Sequence, residues 1–221
     1  MIQENQQAIY IIGDSTAAEK TADKRPETGW GEYIADYLEG SYEIHNHAMN
    51  GRSTLSFLAE GLFDAVENQL KAGDYLIIQF GHNDQKKEDP SRYADPYGSY
   101  QDHIRHYVDR ARQKGATPII LSSITRRDFI DGQVNADILG EYPRSAMGLA
   151  SELELAHADI FKKTQAYISH LGEDESKSLY LHLEAGAHPN YPDGISDNTH
   201  LNVNGAKKFA ELIAEELNLI L

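Results

Sequence analysis

The sequence has no cysteine. Disulfides, thiolate-bound zinc, iron–sulfur clusters and a cysteine nucleophile are therefore excluded. Positive charge is also scarce. Lys and Arg total 20 against 35 Asp and Glu, a formal net charge of −15. So acidic a chain offers no non-specific attraction for nucleic acid or an anionic membrane. No stretch approaches the roughly 20 apolar residues of a membrane span. The opening MIQENQQ is polar, carries Glu4 and lacks Lys and Arg. It lacks the basic start and the apolar run of about 7–15 residues that mark a secretory leader. The expectation is a soluble, cytoplasmic protein with no nucleic-acid or membrane partner. H-E-x-x-H, G-x-x-x-x-G-K-[ST], G-x-G-x-x-G and G-x-S-x-G are all missing, so no zincin, nucleotide or nucleophile-elbow signature is present.

What is present is an ordinary globular composition, 40% hydrophobic and 25% charged, over 221 residues. At roughly 100–200 residues per domain this predicts one domain, 1–221. There is no internal repeat or low-complexity linker. Apolar runs at Ala8–Ile12, Tyr75–Phe80 and Pro118–Leu121 predict buried strands. Ser41–His47 alternates and predicts another, and Leu179–Leu183 a short one. Helical spacing runs through Trp30–Leu38, Leu55–Leu70, Ile104–Ala111, Leu149–Leu171 and Asn204–Leu219. Strands separated by helices imply βαβ units, hence an α/β fold with a parallel sheet covered on both faces. Sites in such sheets lie beyond the carboxyl ends of the strands. Two long connections, Gln85–Ser99 and Ser123–Gly148, are candidates for function.

The loops at those strand ends hold chemistry. Gly13-Asp14-Ser15 follows the first strand, and Gly81-His82-Asn83-Asp84 follows the Tyr75–Phe80 strand. Asn50-Gly51-Arg52-Ser53 lies between them, and Asp197-Asn198-Thr199-His200 precedes the last helix. A serine needs a base to become a nucleophile, and the base needs an orienting group. Ser15 is the candidate nucleophile, His200 its base and Asp197 the orienting carboxylate. A separation of three within a turn lets one loop deliver both of the latter. The N–H groups of Ser15 and Gly51 and the Asn83 amide are candidate donors to an oxyanion. Blander roles exist for the same residues: Ser15 as a helix cap, Asp197 as a turn residue, Asn83 as a loop residue. His82 suits a local hydrogen bond better than a catalytic step. His45 and His47 share a strand face but have no third ligand at a metal spacing, so no metal or other cofactor is expected.

In this order the blocks resemble the SGNH (GDSL-like) hydrolase superfamily, with Ser15, Gly51, Asn83 and His200 as its four defining residues. The likeness spans residues 13 to 200. A narrower resemblance, to rhamnogalacturonan acetylesterases, rests on Gly13-Asp14-Ser15-Thr16, Thr28-Gly29-Trp30-Gly31, Asn50-Gly51-Arg52-Ser53, Gln79-Phe80-Gly81-His82-Asn83-Asp84 and the segment His182–Ala206. The resemblance implies a three-layer α/β/α flavodoxin-like fold. It also implies metal-free removal of O-acetyl groups from acetylated rhamnogalacturonan fragments. Secreted fungal members carry disulfides and leaders, and neither is read here; that difference concerns where the protein works. Arg52, and after it Arg126, Arg127 and Arg144, are candidate contacts for galacturonate carboxylates, with His82 as a further candidate substrate contact. The alternatives are an SGNH esterase with another acyl substrate (another carbohydrate acetylesterase, a lysophospholipase or a thioesterase), or a carbohydrate-binding protein without turnover. The sequence carries no mark of an oligomeric state.

Overall fold

A computed structural model describes residues 6–221. The first residues of the polar opening, 1–5, lie outside the described residues. The chain begins with β1 (Ala8–Gly13), β2 (Glu43–Asn46), α1 (Thr54–Ala59), α2 (Leu62–Glu67), β3 (Tyr75–Gln79), α3 (Ser99–Gln113) and β4 (Thr117–Leu121). A small hairpin of β5 (Phe129–Ile130) and β6 (Gln133–Val134) follows. Then come α4 (Tyr142–Glu152), β7 (Ala156–Ala158), α5 (Ile160–Ser176), β8 (Tyr180–Leu183), β9 (Ile195–Leu201) and α6 (Val203–Leu217). Five strands form a parallel sheet in the order β2-β1-β3-β4-β7.

The buried strands read as continuous apolar runs because both faces are covered. Successive side chains point to opposite faces. Tyr10 and Ile12 of β1 pack with Phe57, Phe63, Tyr107 and Leu149 on one side. Ile9 and Ile11 pack with Trp30, Ile168, Phe209 and Ile213 on the other. The result is helices, sheet, helices: a three-layer α/β/α sandwich. The chain leaves β1 outward to β2, then crosses to β3 on the far side of β1. The loops after β1 and β3 therefore diverge, and the crevice between them is where such sheets bind ligands.

Several elements depart from the periodicity reading. The Leu55–Leu70 pattern is two helices, because Gly61 at φ 69° breaks it. Trp30–Leu38 forms two 3₁₀ turns, Trp30–Glu32 and Ile34–Asp36. The Leu149–Leu171 pattern is helix, strand, helix. Glu154 sits at φ 52°, β7 adds the sheet's edge, and Asp159 restarts a helix by accepting from Lys162 N. A three-residue strand embedded in apolar spacing leaves no distinct pattern. Gly172, at φ 78°, kinks the helical path inside α5. The residues expected to form a loop around Asp197 are strand β9, paired antiparallel with β8 outside the main sheet. No helix among the described residues is long and apolar enough to cross a membrane.

Candidate active site

Ser15 stands one residue beyond Asp14 at the end of β1. Asp14 is fully buried and folds the turn: its Oδ1 accepts from the Thr16 N–H at 2.9 Å and the Thr16 hydroxyl at 2.8 Å. Its carbonyl accepts from Ala17 and Ala18 N–H. With the backbone so held, the Ser15 hydroxyl faces His200, Oγ to Nε2 2.9 Å.

His200 and Asp197 reach the same spot from β9. On a regular strand, residues three apart face opposite sides. Here Leu181 pairs with Asp197 while Tyr180 pairs with Leu201, so residues 198–200 bulge out of register. The Asp197 side chain forms that bulge. Its Oδ1 accepts from the N–H groups of Thr199 (2.7 Å) and His200 (3.0 Å). Its Oδ2 lies 2.6 Å from His200 Nδ1. One Asp197 oxygen thus makes the turn contacts while the other faces the His200 ring. Burial alone would raise the Asp197 carboxyl; the hydrogen bond and charge of His200 and the two N–H groups outweigh it and hold it at about 2. Burial depresses the His200 imidazole, but the Asp197 hydrogen bond and charge, with the charge of Glu27, leave it above its ordinary value.

The hairpin is fastened on both flanks. Thr28 N–H donates to Leu201 O (2.9 Å), and Arg127 N–H donates to Asn198 O (2.8 Å). Asn202 caps α6 with its carbonyl and donates from its amide to Ser178 O and Tyr180 O.

The candidate oxyanion donors come from two loops. Gly51 sits at φ 76°, a left-handed turn that suits glycine. Ser53 then starts α1 with a reciprocal cap to Ser56. Asn83 donates one amide hydrogen to Arg52 O at 3.0 Å, which fixes the side chain and leaves its other N–H available. Asp84 ties the two loops together. It is fully buried and accepts from the Thr54 N–H (2.9 Å) and hydroxyl (2.5 Å) at the start of α1. Burial pushes its carboxyl up to about 7 against those hydrogen bonds. Gly81, at φ 152°, lets the chain pass Ser123: a Cβ there would lie 2.8 Å from the Ser123 hydroxyl.

Ser15, Asn50, Gly51, Asn83, Asp197 and His200 line one pocket of about 630 Å³, with Lys24, Lys86, Arg92, Arg126 and Tyr191 on its walls. His82 lines it too, but both ring nitrogens are engaged. Nε2 donates to Ile124 O (2.9 Å) and Nδ1 accepts from Arg126 Nε (3.3 Å). Burial lowers this imidazole to about 4, so it stays neutral. His82 thus holds Arg126 rather than offering a free nitrogen to a substrate.

Arg52, the first candidate for a uronate contact, is committed elsewhere. Its guanidinium pairs with Glu60 (2.6 Å) and donates to Asn50 O, over a neighbouring groove. Arg144 pairs with Glu141 and Asp137, and Arg127 donates to Glu173 O and Asn198. Among the described residues, Arg126 and Lys86 reach the pocket with no carboxylate within 4.0 Å. Sequence reasoning did not single out Lys86 as a contact, because a charge pattern does not show which cations are already paired. Nor did it find Lys20, Glu27 or Tyr191, which sit in loops without periodicity. His45 stacks on Tyr10 at 4.6 Å and meets Glu43 at 3.1 Å. No cluster of three His, Asp or Glu among the described residues is placed to hold a metal.

A serine beyond the first strand, glycine and asparagine loops beside it, and a histidine arriving last in the chain define a class, the SGNH hydrolases. Residues 11–208 match the GDSL-like Lipase/Acylhydrolase family, and the chain belongs to it. It is a carboxylic ester hydrolase. Over 207 residues it is 40% identical to the rhamnogalacturonan acetylesterase RhgT of Bacillus subtilis, covering 94% of this chain and 88% of that protein. A probable rhamnogalacturonan acetylesterase of the same organism, YesY, is 30% identical over 210 residues, covering 94% of this chain and 90% of that protein. The crystal structure of Bacillus subtilis YxiM superposes with a TM-score of 0.79 at 25% identity, covering 97% of this chain and 57% of that one.

Proposed function

We propose that the chain is a carbohydrate acetylesterase that removes O-acetyl groups from acetylated rhamnogalacturonan fragments, with Ser15 as nucleophile. The observation that carries the reading is the unbroken line Ser15–His200–Asp197 opening onto a pocket with two unpaired cations. Ser15 Oγ attacks the acetyl carbonyl while its proton passes to His200 Nε2. Asp197 keeps Nδ1–H directed and stabilises the imidazolium. The Ser15 and Gly51 N–H groups and the free Asn83 N–H receive the oxyanion. Collapse expels the sugar hydroxyl, protonated by His200, and leaves an acetyl-enzyme. Water, deprotonated by the same imidazole, attacks that ester and releases acetate.

Two features favour a charged glycan over a lipid. Among the described residues, apolar lining beside the serine is confined to Leu181, Ile195 and the Tyr191 ring, which is no groove for a long acyl chain. Arg126 and Lys86 suit the carboxylate of a galacturonate next to the acetylated position, since an ionised acceptor makes the stronger hydrogen bond. The names of RhgT and YesY support the same substrate. The test is acetate release from acetylated rhamnogalacturonan oligosaccharides, acetylated xylan and a short-chain aryl acetate. The expected kcat/KM is highest for the first. A higher value for xylan would overturn the substrate assignment and leave the esterase mechanism standing.

A further inference from the structure

Beneath the nucleophile lies a buried cation that the mechanism above does not use. Lys20 is 4% exposed. Its ammonium has three protons, and each has a partner: the Ser15 carbonyl, Asn50 Oδ1 at 2.6 Å and Glu27 Oε1 at 3.0 Å. Asn50 adjoins Gly51, so one ammonium joins the nucleophile's own backbone to the loop of a candidate oxyanion donor. The third partner reaches the base. Glu27 Oε1 lies 4.0 Å from His200 Nε2, on the side away from Asp197.

A buried ion pair is a poor stabiliser, since desolvation of both ions offsets their attraction and apolar replacements are often as stable. What such a pair does supply is fixed geometry and a local field. We propose that Lys20 and Glu27 form a positioning pair: Lys20 sets the spacing between Ser15 and the Gly51 loop, and Glu27 supports the positive charge that His200 acquires when it takes the serine proton. The two effects separate by their signs. Glu27 favours protonated His200 and Lys20 disfavours it. Ser15 and Asp197 also touch His200, and the other charged or titratable groups lining the same pocket are His82, Lys86 and Arg92 from the loop after β3, Arg126 from the loop after β4, Lys24 from the segment after β1 and Tyr191 from the loop between β8 and β9. His82 is neutral, and Arg126 feels the charges of Asp14 and Asp197 while its hydrogen bonds go to His82.

The proposal rests on Ser15 and His200 being nucleophile and base, so the test uses a short-chain aryl acetate, with Ser15→Ala as the control for that assumption. In Glu27→Gln, Lys20 acts on His200 without Glu27 to offset it. The acidic limb of kcat/KM against pH should move down by about one unit, the size expected for a charge about 4–6 Å away. Substitution that merely loosened the loop would lower the profile without moving its limb. In Lys20→Met/Glu27→Gln both charges leave together and no buried ion is stranded. The limb should then return close to its wild-type position, while kcat falls roughly tenfold and KM changes little because the tether is gone. A limb that stays put in Glu27→Gln, or a double variant with wild-type kcat, overturns the proposal. If Glu27→Gln does not fold, the double variant decides alone. Full activity in Ser15→Ala would instead overturn the nucleophile assignment on which the proposal stands.

Discussion

The two sides of the site are built on unlike supports. Ser15, Gly51 and Asn83 project from loops of the parallel sheet and its first helix. The strands behind Ser15 and Asn83 are central and nearly all buried. His200 and Asp197 come from a two-stranded hairpin outside that sheet, with a mostly half-buried strand carrying both. The serine side stands on packing: β1 and β3 lie between two hydrophobic layers, and short hydrogen-bonded turns at Asp14 and Asn83 carry the side chains from there. The histidine side is placed by hydrogen bonds, through the Asp197 bulge and the fastenings at Thr28 and Arg127. The Ser15–His200 distance is thus the meeting point of a rigid half and a tethered half.

The largest expected effect breaks the tethered half at its chemistry. Asp197→Asn should lower kcat on an aryl acetate by roughly 10⁴-fold, by analogy with the orienting carboxylate of serine proteases. The wild-type enzyme should lose activity as pH falls through the His200 pKa, because the protonated imidazole cannot accept the serine proton. That limb should lie above the ordinary 6.5, since Asp197 and Glu27 favour the cation. A limb below 6.5 in the kcat/KM profile would show that burial, not Asp197, governs the base.

On the rigid half, Asn83→Ala should cost roughly 10²–10³-fold in kcat with little change in KM, because the oxyanion exists only in the transition state. A change confined to KM would make Asn83 a ground-state contact. A smaller effect separates substrate from chemistry. Lys86→Ala and Arg126→Ala should each raise KM for a galacturonate-bearing oligosaccharide about tenfold, one lost charge-assisted hydrogen bond. Neither should change KM for a neutral aryl acetate. Equal losses on both substrates would mean that these cations support the fold of the pocket instead.

The central strands were legible because a strand buried on both faces must be apolar throughout, as Ala8–Ile12 and Tyr75–Phe80 are. β7 and β9 were not, for opposite reasons. β7 has three residues inside a longer helical spacing. β9 runs Ile-Ser-Asp-Asn-Thr-His-Leu and owes its strand pairing to β8 rather than to any apolar pattern of its own. The serine, glycine, asparagine and histidine blocks could be read in order because their residue types carry the chemistry. The cations could not be sorted in advance. Arg52 and Arg126 look alike in sequence, and only the fold sets Glu60 beside one and His82 beside the other.

The smallest effect probes the tether itself. Asn190 donates from its amide to Ala22 O (2.7 Å) and Arg25 O (2.8 Å), and the Tyr191 hydroxyl donates to Lys24 O (2.9 Å), fastening the loop between β8 and β9 to the segment that carries Glu27. Asn190→Ala should lower stability by only about 1 kcal/mol, while kcat falls a few-fold as the hairpin loosens. Unchanged kcat in stopped-time assays would show that the fastenings at Thr28 and Arg127 suffice to hold β9.

The claim that joins both halves is that Ser15 becomes acetylated by way of His200. It is tested most directly by mixing the enzyme with an activated acetyl ester, quenching in acid within the first turnover and mapping the adduct by peptide mass spectrometry. The account predicts one acetyl group on the peptide carrying Ser15, absent in Ser15→Ala and formed far more slowly in His200→Ala. An adduct on any other residue that forms at the rate of turnover, or turnover that persists without Ser15, would contradict it.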